Sequence, residues 1–293
     1  MRAVQYRILT RLLDHAPVPS YIYAFEKGRS IPEMASMHVG NPLVISLDLK
    51  DFFPSIKQYM LELLFQQFGA SQVPAKVLSE ICTYEAFVPQ GALTSPKVSN
   101  LISASTFGPI IHAYCEERGY NLSIYADDIT ISTPRNLIEE EGNAAVDDII
   151  SFIQRTVNLY GFRVNKRKTK VMKRSQRQYV CGAVVNSKVN LQRRQRNKLR
   201  AMVHNVSKNG IEAEAAKSGQ SPDKFMSTLM GHVNWYNQLN EEAGGQLRAQ
   251  LRCIVEQAAT TKGQAERAPL GNVVTAPIGA IVETSMDQTS PWE

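Results

Sequence analysis

The stretch Tyr125-Ala126-Asp127-Asp128 determines how this sequence is interpreted. It joins two apolar runs, 122–125 and 129–131, and this pattern predicts a β-hairpin whose tight turn carries both aspartates. Two adjacent carboxylates repel each other unless a cation lies between them, and hard oxygen ligands suit Mg²⁺. A solvated acidic turn would have the same composition. The metal interpretation therefore depends on further carboxylates.

A third carboxylate lies in a second apolar run, Leu43–Leu49, in which Asp48 is the single acid. An aspartate inside an apolar strand is costly to bury unless it is paired or binds a metal. A salt bridge from Asp48 to Arg or Lys is the alternative. A strand carboxylate that faces a turn carrying two more could hold two Mg²⁺ ions for in-line phosphoryl transfer.

A third segment, Val88–Pro96, contains a Pro-Gln-Gly turn and a Ser-Pro helix start. This composition predicts a flexible backbone segment ahead of a helix. Such a segment suits close approach of the main chain to a flat ligand, such as a nucleobase or a sugar. An ordinary loop before a helix is the alternative.

In this order, the three segments resemble the palm of a reverse transcriptase, and 161–170 resembles the segment that follows the Asp-Asp hairpin in that family. The resemblance is closest to bacterial retron-type enzymes, with group II intron enzymes more distant. Two elements depart from the retron pattern: Met34 replaces the asparagine of Asn-Ala-x-x-His, and Cys181 replaces the threonine of Val-Thr-Gly. The resemblance implies an α+β right-hand polymerase with an antiparallel-sheet palm, reduced fingers and a helical thumb.

The resemblance also implies the catalytic residues of an RNA-directed DNA polymerase with a two-metal mechanism. Asp48, Asp127 and Asp128 would be the catalytic carboxylates and would hold two Mg²⁺ ions, for which Mn²⁺ could substitute. Asp48 and Asp127 would bridge to the ions most directly. Leu49 would add a backbone carbonyl as a further metal ligand.

Four residues are implied to contact the nucleotide. The ring of Phe53 would fill the space that a ribonucleotide 2′-hydroxyl needs, which favours deoxynucleotides. Gln90 and Gly91 would line the nucleotide and template side. Lys168 would lie near the triphosphate as a cation or proton donor to the leaving pyrophosphate. The alternative for Lys168 is an ordinary surface lysine.

Positive charge is concentrated in one part of the chain, although the net charge is only +6. Fourteen Lys or Arg residues and no Asp or Glu lie between Arg163 and Arg200. A block of one sign this long predicts phosphate contacts and salt-dependent binding, and a solvated face is the alternative. The side chains expected to bind nucleic acid are Arg193, Arg194, Arg196, Lys198, Arg200 and Trp235. Trp235 could stack on a nucleobase. The alternative is that Trp235 and the adjacent Tyr236 both belong to the hydrophobic core.

Composition is compatible with a reduced, cytoplasmic protein. The four cysteines lack any Cys-x-x-Cys spacing, which argues against a structural zinc site. No stretch approaches the roughly 18 apolar residues of a membrane helix, and no targeting signal is seen.

Hydrophobic periodicity and composition shifts divide the chain into four regions. The resemblance implies that these are partial fingers at 1–42, a palm at 43–191 with finger helices at 57–84 and a helical thumb at 192–260, and composition makes 261–293 a flexible or partner-binding tail. Single long helices are predicted over 97–118 and 136–160, and a Gly/Ser/Ala-rich connection over 208–224.

The sequence is thus interpreted as a reverse transcriptase that copies a structured non-coding RNA into single-stranded DNA in a retron-like anti-phage system. Expected partners are the RNA template–primer and its DNA product, dNTPs and an effector protein, with no membrane. One alternative is a group II intron-like or other defence-associated reverse transcriptase. Another is a nucleoprotein scaffold that mainly holds RNA and DNA against an effector.

Few cations precede Asp48 to meet a triphosphate, as though the fingers were short at the N-terminus. Those available are Arg2, Arg7, Arg11, Lys27 and Arg29. We therefore expect weak dNTP binding by this chain alone, with a KM that falls when upstream sequence or a partner is supplied. Lys27 and Arg29 are the candidates within the chain for the missing role.

Overall fold

The computed structural model describes the backbone of residues 1–265 and the side chains of residues 1–257. Its contacts separate a first compact unit, Met1–Leu251, from a second that begins at Arg252. The first unit is mixed, with helices packed on an antiparallel sheet, as predicted for a polymerase palm. Within residues 1–265, no helix has the length and apolar composition needed to cross a bilayer.

Helices and short strands alternate through the first part of the chain, and helices alone follow between residues 193 and 265. The helices are α1 (Arg2–Arg11), α2 (Ile31–Ser36), α3 (Phe52–Ser55), α4 (Gln58–Gln67), α5 (Gln72–Cys82), α6 (Ser95–Ser105), α7 (Phe107–Glu117), α8 (Leu137–Glu140), α9 (Asn143–Leu159), α10 (Arg193–Asn209), α11 (Ile211–Lys217), α12 (Pro222–Leu239) and α13 (Glu241–Ala265). The strands are β1 (Leu43–Lys50), β2 (Asn121–Tyr125), β3 (Asp128–Thr133), β4 (Arg163–Val164), β5 (Lys170–Lys173), β6 (Tyr179–Val180) and β7 (Ala183–Val184).

Strand β1 is the centre of the main sheet. It pairs with β3 along one edge, whereas its other edge is shared between β5, near Leu43, and β4, near Lys50. Val44 and Ile45 are both fully buried, and neighbours on a strand point to opposite faces. Both faces of the sheet are therefore covered at this level, and β1 is held rigidly from two sides.

Two helices predicted as continuous are each broken. The helix predicted over 97–118 is two helices, α6 and α7, with a non-helical backbone at Thr106. Pro109 explains the break, because its ring cannot follow a continuous helix and it lacks an N–H for the bond to Ser105. The helix predicted over 136–160 is α8 and α9, which are separated at Gly142, where φ is 82°.

The connection predicted over 208–224 was also wrong, because seven of its residues form α11. The last helix, α13, continues to Ala265 rather than ending at 260. The predicted tail at 261–293 lies largely outside the described residues.

The element before β1 is anchored by a buried histidine. His38 lies just after α2 and is fully buried, with Nδ1 2.8 Å from Ser132 Oγ and Nε2 2.8 Å from Ser123 Oγ. Burial lowers the pKa of His38 to about 4, so the imidazole is neutral at neutral pH. His38 therefore ties α2 to both strands of the β2–β3 hairpin and has no surface left for RNA.

Candidate active site

The β2–β3 hairpin places one aspartate in its turn and one at the start of a strand. Tyr125 pairs with Asp128, so the two-residue loop is Ala126-Asp127. The prediction that the turn carries both aspartates was therefore wrong by one residue. Ala126 adopts a φ of 52°, in the left-handed region, as the first residue of so tight a turn requires.

Cross-strand register brings the third carboxylate to the same place. Asp48 on β1 lies directly opposite Asp128 on β3. The next residue, Leu49, donates its N–H to the Asp127 carbonyl at 2.8 Å. Directly opposed residues have Cβ atoms about 4.5–5.5 Å apart. The fold thus collects Asp48, Asp127 and Asp128 at one end of the central strand, as predicted.

The electrostatics of this end of the sheet are those of repelling carboxylates. Burial, together with the charges of Asp127 and Asp48, raises the pKa of Asp128 to about 6. Lys168 Nζ lies 2.8 Å from Asp48 Oδ2, and this hydrogen bond raises the pKa of the lysine. Asp48 is therefore paired with Lys168, as its salt-bridge alternative expected, and the place of Lys168 near a triphosphate remains a prediction.

The donor set fits a hard divalent cation. Carboxylate oxygens are the preferred ligands of such ions, and a cation would relieve the repulsion that raises the pKa of Asp128. Within the described side chains, no three His, Cys, Asp or Glu groups already lie close enough to hold an ion. Because Lys168 Nζ is hydrogen-bonded to Asp48 Oδ2, an ion bound to that oxygen would require Lys168 to release it. The carbonyl of Leu49 remains a predicted ligand.

Two phenylalanines follow Asp48, and the structure separates their roles. Phe52 is buried, and its ring contacts that of Phe162 in the core, with centroids 5.7 Å apart. Phe53 is only partly buried and packs against the edge of the core. Phe53 is thus more accessible than Phe52, and its role against the sugar remains a prediction.

Gln90 and Gly91 lie in an exposed turn just before α6. Gly91 has a φ of 90°, which favours glycine, and Ser95 Oγ donates to the Pro89 carbonyl at 2.6 Å to hold the turn against the helix. The backbone here is accessible, as expected, and the contact of Gln90 and Gly91 with a nucleotide remains a prediction.

Helix α10 presents most of its predicted cations to solvent, with one exception. Arg193, Arg194, Lys198 and Arg200 are exposed, whereas Arg196 is partly buried with an unpaired, buried Nε. Arg196 lies three residues before Leu199, on the stripe that packs inward. The prediction that Arg196 contacts nucleic acid is therefore not supported by its position.

The aromatic pair of α12 is divided between core and cavity. Tyr236 is fully buried, whereas Trp235 is partly exposed and lines a cavity of about 540 Å³ between α10 and α12. Lys198 lines the same cavity. A role of Trp235 in stacking remains a prediction that this geometry permits.

Two further features were not foreseen from the sequence. Cys181 forms the turn of the β6–β7 hairpin with Gly182, and burial and the charges of Asp128 and Asp127 raise its pKa to about 12. Arg29 donates to the carbonyls of Val18, Pro19 and Ile22. Arg29 therefore holds its own loop together and is not available for a triphosphate, contrary to one expectation.

An antiparallel sheet that collects three carboxylates at the end of its central strand is the architecture of a polymerase palm. The family model for reverse transcriptase (RNA-dependent DNA polymerase) matches residues 1–185. The chain therefore belongs to this family.

The relatives and a solved structure agree with this assignment. Retron Ec86 reverse transcriptase of Escherichia coli is 31% identical over 207 residues, which cover 70% of this chain and 62% of that protein. Retron Mx65 reverse transcriptase of Myxococcus xanthus is 32% identical over 235 residues, 74% of this chain and 53% of that one. Telomerase from Candida albicans shares the fold, with a TM-score of 0.51 and 11% identity over 93% of this chain and 57% of that one.

Proposed function

We propose that this chain is an RNA-directed DNA polymerase that copies a structured non-coding RNA into single-stranded DNA. The observation that carries the proposal is the register of β1 and β3, which sets Asp48 opposite Asp128 with Asp127 in the adjoining turn. The names of its relatives support reverse transcription and a retron context. The chain spans only part of their length, so its activity is inferred from the site itself.

The chemistry assigned to the site is transfer of a deoxynucleotide to a primer 3′-hydroxyl. The hydroxyl oxygen gives up its proton to solvent and forms a bond to the α-phosphorus, and pyrophosphate leaves with the electrons of the broken P–O bond. Asp48, Asp127 and Asp128 would hold two Mg²⁺ ions, which supply charge stabilisation and orientation when bound. Lys168, once released from Asp48, would carry positive charge and a proton to the leaving pyrophosphate.

The proposed biological setting is a retron-like anti-phage system in the cytoplasm, with an effector protein as partner. Of this setting, the names of the relatives support the retron context alone. A scaffold role, in which the chain holds RNA and DNA without making DNA, is the alternative that the next experiment separates from polymerase activity.

Nucleic acid co-purified with the full chain should contain RNA together with DNA complementary to part of it. Purification from cells that produce Asp127→Asn should recover the RNA without that DNA, because the variant keeps its basic surfaces but loses one catalytic carboxylate. Treatment of the recovered nucleic acid with DNase or RNase, followed by sequencing, measures the RNA and the complementary DNA. Equal amounts of complementary DNA with the parent and the variant would favour the scaffold and contradict the proposal.

The exposed cations of α10 should contribute to RNA affinity through phosphate contacts. Replacing Arg193, Arg194 and Arg200 with Gln should flatten the plot of log K against log salt concentration by roughly one unit per lost contact. Arg196→Gln is the matched control on the same helix, since its side chain faces inward, and it should leave the slope unchanged. An unaltered slope in the triple variant would show that this face does not contact RNA.

A further inference from the structure

Two like charges face each other where β1 ends. Lys50 on β1 lies directly opposite Arg163 on β4. Directly opposed side chains lie on the same face of a sheet, and like charges in this position are destabilising. The sequence places this unfavourable pair in a short two-residue contact between strands, where it gains little from packing, since both side chains are exposed.

Arg163 lines two adjoining grooves, which also share Gly161, and Lys50 lines one of them. One groove, of about 530 Å³, also contains Lys166 and the amides of α9, and the other, of about 220 Å³, contains Lys50 and Lys57. We call the two together the basic groove. Its charged lining residues are Lys50, Asp51, Lys57, Arg163 and Lys166.

Little inside the protein neutralises this charge. Asp51 is the single acid in the lining, and its Oδ2 is 3.9 Å from Lys50 Nζ in an exposed, weak pair. Lys57 donates to the Pro54 carbonyl at 2.8 Å, a contact that leaves its charge unbalanced. Within the described side chains, Arg163 and Lys166 have no ion-pair partner. The basic groove is thus built for an anion of several charges.

The basic groove also lies on the catalytic side of β1. Lys50 is two residues after Asp48, so both side chains project from the same face of the strand, roughly 7 Å apart along it. The Asp48 carbonyl accepts from Asn165 N–H at 2.7 Å, which fixes β4 and its Arg163 beside the site. An anion extending from the three carboxylates along this face would reach Lys50 and Arg163.

We propose that the basic groove binds polyphosphate: the β,γ-phosphates of the incoming nucleotide and the pyrophosphate that it releases. The proposal rests on the proposed function, and it names palm residues for a role that Arg29 cannot fill. A compact cluster of four cations suits a short polyanion, whereas the exposed row on α10 suits an extended strand.

Direct binding of tripolyphosphate to the full chain, measured by calorimetry in the Asp127→Asn background, tests this independently of any polymerase activity. The double variant Lys50→Gln, Arg163→Gln should weaken binding at least tenfold, because it removes half of the cations of the basic groove. Lys50→Arg should retain the parent affinity, and Lys76→Gln, an exposed lysine on α5, is the control for loss of a charge elsewhere. The double variant should melt no lower than its parent, since it removes a repulsive pair.

A second measurement separates the source of the phosphate in the active protein. In primer extension, the double variant should raise the KM for dNTPs and the inhibition constant of pyrophosphate together, with kcat changed much less. Unchanged tripolyphosphate binding in the double variant would overturn the proposal. Weaker RNA binding with unchanged tripolyphosphate binding would overturn it too, and would assign the basic groove to RNA phosphates. A further outcome is that the parent shows no polymerase activity while the double variant still loses tripolyphosphate binding. That result would contradict the proposed function and support the anion site.

Discussion

Asp48→Asn and Asp127→Asn should each lower the rate of DNA synthesis by a factor of a thousand or more. The two carboxylates belong to a set that register forces together at the end of β1, and removing one negative charge weakens capture of a divalent cation. A thousandfold loss corresponds to about 4 kcal/mol of transition-state stabilisation. Single-nucleotide incorporation on an RNA template with Mg²⁺ measures the effect.

Folding and RNA binding should survive both substitutions. Asparagine has nearly the same shape as aspartate, and relief of repulsion around Asp128 opposes the loss of the Lys168 ion pair in Asp48→Asn, so both variants should stay folded. Asp147→Asn, an exposed position on α9, is the matched control and should keep parental activity. Parental rates in both active-site variants would remove the assignment.

Phe53→Val should admit ribonucleotides that the parent enzyme rejects. Phe53 follows Asp48 by five residues and is only partly buried, while its neighbour Phe52 is packed into the core. Truncating the ring opens space for a 2′-hydroxyl, so the ratio of kcat/KM for dNTP over rNTP should fall about a hundredfold, equivalent to about 2.7 kcal/mol.

The control for this substitution is Phe68→Val, at an exposed position after α4, which should leave the ratio as it is. An unchanged ratio in Phe53→Val, with dNTP incorporation intact, would show that the ring of Phe53 serves only to cover the core edge.

Local signals sufficed for the catalytic carboxylates but not for their exact setting. Asp48 and the Asp127-Asp128 pair were found because each interrupts an apolar run, a pattern that the sequence displays directly. A shift of one residue in the pairing of β2 with β3 changes which aspartate lies in the turn. The left-handed φ of Ala126 could not be predicted, because this conformation is typical of glycine and not of alanine.

Features that depend on distant pairing were not predictable in the same way. The opposition of Lys50 and Arg163 arises only when β4 pairs with the end of β1, and the approach of Cys181 to Asp128 requires the β6–β7 hairpin to lie against the palm. Both contacts join segments more than 50 residues apart in the chain.

Two other incorrect predictions concern features that the sequence does indicate. The inward position of Arg196 follows from its spacing to Leu199 and Val203, which places the three on one helical stripe. Pro109 marks the break between α6 and α7. In both cases a single residue, and not the charge or the helix propensity of its neighbours, decides the local structure.

The most direct test of the three-carboxylate site is a crystal structure of the full chain with a template–primer, a dNTP and Mn²⁺. We expect anomalous scattering from ions bound to the carboxylates of Asp48 and Asp127, with Lys168 moved away from Asp48. The same crystals of Asp127→Asn should lose at least one of these peaks. Manganese bound elsewhere in an otherwise productive complex, with Lys168 still paired to Asp48, would contradict the three-carboxylate site.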